Sequence, residues 1–308
     1  MTIYVDGNQS NTRGKATNIE YAGKEFWVGH GDHGIEKVWA YPWDGALDEV
    51  RISSVARDAC WVGTEYKNQD TPGTFLSEGA EESPPQGFKY RKPFTFKYVE
   101  RGSACGAEVY PTYDLSNFPV LISETDYSLK PVAYGGHIEH TVNVGGFDIP
   151  SDLVFMASGG ITPLDHEIEY YSASTGTLVA WVRIPKLFDG NVNTTIYMNY
   201  GYPEITTDLS NPTGVWNTAN GWAGVWHLRE NAGSSNCLKD STSNGNNGTP
   251  YSDTTITNLY TSSGHIDGAD AFDGTDDYIQ VASADPLNLG SNFTIESWAK
   301  RGAIDATH

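Results

Sequence analysis

Two strings in this sequence hold the residue types that chemistry needs. Asp165-His166-Glu167-Ile168-Glu169 sets three carboxylates at alternate positions. In a strand these would share one face, about 6.5 to 7 Å apart from one to the next. Glycosidases use carboxylate pairs separated by about 5 to 5.5 Å when retaining and about 6.5 to 9.5 Å when inverting, so the spacing allows hydrolysis of a glycan. No Trp-rich strand flanks the string closely, and a solvated polar strand face accounts for it more simply. The second set is Asp240, Asn244, Asn246, Asp273, Asp276 and Asp277, all beside Gly-rich turns. Such clustered oxygens suit Ca²⁺, which takes 6 to 8 flexible oxygen ligands. They equally suit turns, because Asp and Asn side chains bond back to local backbone.

Aromatic residues offer a third kind of site. Trp39, Tyr41 and Trp43 interrupt a turn and could stack on a saccharide, which matches an apolar face with a polar edge. The remaining Trp residues read as core. The pairs His30/His33 and His137/His140 are spaced i,i+3 without helical context and read as incidental. No Ser-His-Asp elbow, GxGxxG or P-loop string is present, so the expectation is a chain without catalytic residues.

Bulk composition narrows the partners. The 308 residues carry 39 acidic against 19 basic side chains, a formal charge of -20. That balance argues against nucleic acid and anionic membranes as partners. No run approaches the roughly 20 apolar residues of a membrane-spanning helix. Abundant Gly, Tyr and Trp with few amphipathic stretches describe short strands and tight turns, an all-β fold of sandwich or jelly-roll type. Cys60, Cys105 and Cys237 are too far apart for a metal knuckle and read as buried or half-buried free thiols, with at most one disulfide within the chain.

The elements that must position these residues fall in three segments. Residues 1–82 hold extended runs at 1–5, 25–28 and 45–52, then a helix predicted over 54–68, capped by Ser54 with Val55, Ala59, Val62 and Tyr66 on one stripe. A Pro-rich linker at 83–89 follows. Residues 90–202 read as strand after strand, at 92–98, 118–122, 152–156, 165–171, 178–184 and 194–200. A second linker covers 203–213, and 214–308 adds strands at 225–228, 271–272, 278–281 and 293–298.

The outer segments resemble two ends of one domain type, the laminin-G-like or concanavalin-A-like jelly roll, in inverted order. The third segment carries what looks like its opening: Gly224-Val225-Trp226-His227-Leu228, the Asp240 to Thr249 turn, Ala271-Phe272-Asp273-Gly274, and Phe293-Thr294-Ile295-Glu296-Ser297-Trp298. The first carries what looks like its close, Ile3-Tyr4-Val5-Asp6-Gly7 and Gly45-Ala46-Leu47-Asp48-Glu49-Val50-Arg51-Ile52. The middle block resembles an extracellular domain of unknown function, number 2341, on Tyr90-Arg91-Lys92-Pro93, Leu164-Asp165-His166-Glu167-Ile168-Glu169, Val179-Ala180-Trp181-Val182 and Thr195-Ile196-Tyr197-Met198-Asn199-Tyr200-Gly201. The DHEIE string is also similar to the Glu-x-Asp-x-Glu strand of concanavalin-A-like glucanases.

These resemblances imply a secreted or cell-surface location and, in the jelly roll, one structural Ca²⁺. Half a sandwich leaves an inner face wet, so each outer segment needs a partner: the other segment, a neighbouring repeat, or another copy of the chain. The leading expectation is a non-catalytic structural or adhesive repeat, cut from a tandem array, closed within one chain, or assembling head to tail by completing split jelly rolls between chains. A carbohydrate-binding module, with glycans as partners, comes second. A glycoside hydrolase using Glu167 and Glu169 is a third reading.

Overall fold

The computed structural model describes residues 2–12, 25–32, 39–40, 42–84, 87–96, 114–188, 192–282 and 287–302. The architecture is all-β, antiparallel sheets in sandwich arrangement with little helix. No described helix is long and apolar enough to cross a membrane. Two compact units form, Met1–Gly14 with Asp58–Val215, and Lys15–Arg57 with Trp216–His308.

In the first unit one sheet orders Val154–Met156, Thr194–Tyr200, Tyr90–Phe96 and Leu76–Glu78, and another orders His166–Ser172, Thr177–Leu187 and Leu115–Thr125. Alternation puts Phe94 opposite Ile196 and Phe155 opposite Met198, so one face of the first sheet is apolar and buried. Phe155 meets His166 of the second sheet edge to face, with ring centroids 5.4 Å apart.

Phe118 to Ile122 are buried without a break because the strand Leu115–Thr125 is covered twice, once by the core and once by the helix Ala59–Asp70. Trp61 of that helix packs on Phe118 at 4.8 Å. The helix starts later than predicted: Asp58 is its cap, accepting from the Trp61 N–H at 2.8 Å, while the Ser54 hydroxyl donates to the Gly221 carbonyl. Its buried side is Trp61, Thr64, Glu65, Asn68 and Gln69 rather than the Val55, Ala59, Val62 and Tyr66 stripe. Polar residues face inward here because they have partners there, Asn68 bonding the Leu121 backbone and Glu65 accepting from the Trp61 indole at 3.0 Å. An apolar period does not report such a face. Residues 203–215 lie along the same unit, with the Asn211 N–H donating to the His166 carbonyl at 2.7 Å and a helical turn at Pro212–Val215.

The second unit is organised by the ten-residue strand Asp44–Ser53. Trp222–Trp226 and Ala269–Asp273 share one of its edges, and Thr294–Arg301 takes the other. Gly45, at φ +134°, admits that second ladder, since a Cβ there would strike the Lys300 carbonyl. A facing sheet orders Thr255–Ile256, Gly248–Ser252, Asp277–Val281 and Phe26–Val28. Leu47, Val50, Ile52, Trp226, Phe272, Ile279 and Val281 belong to its core. Strands between residues 26 and 53 therefore pair with strands between 222 and 301, and ladders of this kind occur in both sheets.

Candidate functional site

The DHEIE string is not a solvated strand face. His166, Glu167 and Glu169 are buried, and a register shift between Ile168 and Tyr170 breaks the alternation that would have lined the three carboxylates up. Each acid seen in contact is tied to a neighbouring strand or loop. Asp165 pairs with the Arg183 guanidinium and accepts from the Asn211 amide at 2.7 Å. Burial works to raise its pKa, but those two hydrogen bonds, together with the Arg183 charge, outweigh it and hold the carboxyl below its ordinary value. Glu169, fully buried, accepts from the Trp181 indole at 2.6 Å. Burial pushes the His166 imidazole pKa down, favouring its neutral form. The sequence suggested exposure because period-2 polarity says nothing about what covers the strand. Arg183 and Trp181 come from the partner strand of the hairpin.

The calcium candidates separate into two groups. Asp240 is buried and spends its oxygens locally: Oδ1 accepts from the Val225 and Thr242 amides at 3.1 and 2.9 Å, and Oδ2 from the Asn246 amide at 2.8 Å. The Asn244 and Asn246 side chains donate to the Ala223 carbonyl at 2.9 and 3.2 Å. These three residues therefore fasten a turn to the strand Trp222–Trp226. Asp273, Asp276 and Asp277 form the second group, with one oxygen from each within 4.8 Å of the others. Asp273 caps the turn by accepting from the Thr275 amide at 2.8 Å, and Asp277 accepts from the Asp273 amide at 2.9 Å. Burial, with Asp273 as a contributing charge, raises the Asp277 pKa.

Of the aromatic trio, Trp43 is half-buried and packs against the core of the second unit. Tyr41 and the Trp39 side chain lie outside the described residues. Exposed aromatics occur instead in the first unit. Tyr127 and Tyr134 both stand in solvent, joined by the Tyr127 hydroxyl donating to the Tyr134 carbonyl at 3.2 Å, with Lys130 Nζ 5.0 Å from the Tyr127 ring centroid.

The cysteines divide between the two readings. Cys60 is disulfide-bonded, its partner lying outside the described residues, whereas Cys237 is a buried free thiol.

A buried ionic centre in the second unit had no sequence signal. Glu49, at φ +54°, and Arg51 sit on the long strand, and His227 lies 178 residues away in sequence. His227 Nδ1 is 2.7 Å from Glu49 Oε1, and Arg51 Nε donates to Glu49 Oε2 at 3.1 Å. Arg51 also lies over the Trp216 ring, 4.8 Å from its centroid. Burial alone would raise the Glu49 pKa, but His227 and Arg51 lower it to about 2. Next to it, Asp48 accepts from the His265 and Ile266 amides at 2.7 and 3.0 Å, and burial, reinforced by Glu49, takes its pKa up to about 7. Burial, with Glu230 and Asp48 nearby, raises Asp270 well above the ordinary carboxylate value. All of these side chains except Glu230 are nearly inaccessible, so the cluster holds strands together and offers no room for a substrate. An Asp-Glu-x-Arg string gives no warning of this, because a strand of alternating charge reads as surface.

One strand has the opposite character. Thr294–Arg301 has only half-buried and exposed residues, although it pairs with the core strand Asp44–Ser53.

No curated protein and no solved structure gives a significant match to this chain. Residues 149–227, from the hairpin strand Phe147–Pro150 through DHEIE to His227, match the family described as Domain of unknown function (DUF2341), and over that stretch the chain is similar to it.

Proposed function

We propose that this chain is a non-catalytic extracellular or cell-surface module, structural or adhesive in role, whose work is to join other copies or neighbouring repeats. The observation that carries this reading is the edge strand Thr294–Arg301, whose core-side residues Ile295 and Ala299 stay exposed where a sandwich normally covers them. Two further observations support it. Of the DHEIE carboxylates, Asp165 is bonded to Arg183 and Glu169 to Trp181, and Glu167 is buried. The Cys60 disulfide fits an oxidising compartment. Light scattering coupled to chromatography tests the assembly: a mass per particle that climbs with loading concentration supports it, and a constant monomer mass opposes it.

Calcium belongs to the same proposal. Asp273, Asp276 and Asp277 supply the donor type and spacing for a hard cation on the turn before Asp277–Val281.

A second reading, carbohydrate binding, is favoured by Tyr127 and Tyr134, exposed side chains on a loop held by the Pro131 to Ile138 bridge. Glycan-array signal lost in Tyr127→Ala and Tyr134→Ala would establish it; an array without signal would remove it.

A further inference from the structure

The edge strand is bare on the side that ought to be driest. Ile295 pairs with Ile52, and Ala299 pairs with Leu47, so both stand on the face of the sheet that carries the core. Ile52 is 0 % exposed, yet Ile295 is 49 % exposed and Ala299 is exposed too. Among the described residues, no strand pairs with the far edge of Thr294–Arg301.

The hairpin Thr2–Val5 with Asn8–Thr12 has the matching deficiency. Among the described residues it forms no ladder beyond its own pair. Ile3 and Val5 share one face, 36 % and 56 % exposed. Charge matches as well. The hairpin tip carries Asp6, close enough to the Tyr66 hydroxyl that, after burial and Asp70, it helps raise that group's pKa. The edge strand ends in Lys300 and Arg301, both exposed, in a chain with only 19 basic residues against 39 acidic.

We infer that residues 2–12 of one copy lie over the inner face of Thr294–Arg301 of a second copy, Ile3 toward Ile295 and Asp6 toward Lys300 and Arg301. This rests on the assembly reading above and names its two surfaces. The apolar faces cover each other as the two layers of a sandwich do, and the acidic tip meets the basic strand end. Because donor and acceptor surfaces differ, the contact is heterologous, leaves one of each free at the ends, and propagates.

The test is cross-linking between single-site variants in a Cys237→Ala background, which removes the free thiol. Ile3→Cys chains and Ile295→Cys chains are mixed and treated with a short bis-maleimide. Both positions are exposed, so the variants keep their fold. Two-chain product in the mixture and in neither variant alone is expected. Product in Ile295→Cys alone would show a symmetric edge-to-edge contact and overturn the inference, as would a mixture that yields none. Asp6→Lys should cut the yield several-fold, and a Lys300→Glu, Arg301→Glu partner should restore it; a yield indifferent to both overturns the charge pairing. If light scattering shows assembly while the mixture fails to cross-link, these two surfaces are wrong and the assembly reading stands. A chain that stays monomeric removes both.

Discussion

Asn68 grips the peptide of Leu121 in both senses, accepting its N–H at 2.7 Å and donating to its carbonyl at 3.0 Å. A helix side chain thus does for the strand Leu115–Thr125 what another strand would do, and closes that edge. Asn68→Ala leaves a buried N–H and a buried carbonyl without partners. A loss of about 2 to 4 kcal/mol is expected in the first unit, read by chemical denaturation. A loss under about 0.5 kcal/mol would mean that the edge does not need this cap.

Removing one member of the Glu49, Arg51 and His227 centre should cost more than the contacts suggest. Glu49→Gln leaves the Arg51 charge buried beside an amide that cannot neutralise it. Destabilisation of about 3 to 5 kcal/mol is expected for the second unit. Wild-type stability in that variant would show that the charges are solvated rather than sealed.

The same unit should weaken as pH rises toward neutrality. Asp48 goes from an ordinary value of 3.8 to about 7 on folding, so the folded state holds a proton that the unfolded state has released. Stability from this group is complete below pH 3.8 and falls between there and about 7, by at most about 4 kcal/mol. Asp270 shifts in the same direction. Glu49 acts oppositely, its contribution present above 4.5 and lost as pH drops through about 2. A melting temperature that declines from pH 4.5 to 7, with a flatter slope in Asp48→Asn, is the expected pattern. An identical slope in the variant would show that Asp48 does not titrate in this range.

Thiol titration checks the compartment. In denaturant without reductant, one free thiol per chain is expected, Cys237, and three after reduction. Three before reduction would contradict an oxidised Cys60.

Calcium, if bound at Asp273, Asp276 and Asp277, adds stability that grows with the logarithm of its concentration. Millimolar Ca²⁺ should raise the melting temperature of wild type, and Asp276→Asn should remove the effect. An unchanged wild-type melt would leave those acids as turn formers only.

Much of the fold could be read from local patterns and much of the site could not. Runs such as Thr194–Tyr200 and Asp44–Ser53 declare themselves through β-branched and aromatic content with alternation. What covers a strand is a tertiary fact. DHEIE looks polar and is buried because Trp181 and Arg183 reach it; Asn68 faces inward because Leu121 needs it; His227 meets Glu49 across most of the chain. Trp43 reads as exposed in a turn, and only the folded second unit shows that its ring also packs on the core. Exposure is equally a tertiary fact at Ile295, which pairs with buried Ile52 and is left half in solvent.

Hydrogen exchange on the intact chain at low and high concentration reads the working surface most directly. On concentration, slower exchange is expected for the amides of Thr294–Arg301 and Thr2–Val5, with the cap at Asn68 and Leu121 unaffected. Exchange at both strands that stays the same while particle mass increases, or a mass that never increases, would contradict a module built to join copies through that edge.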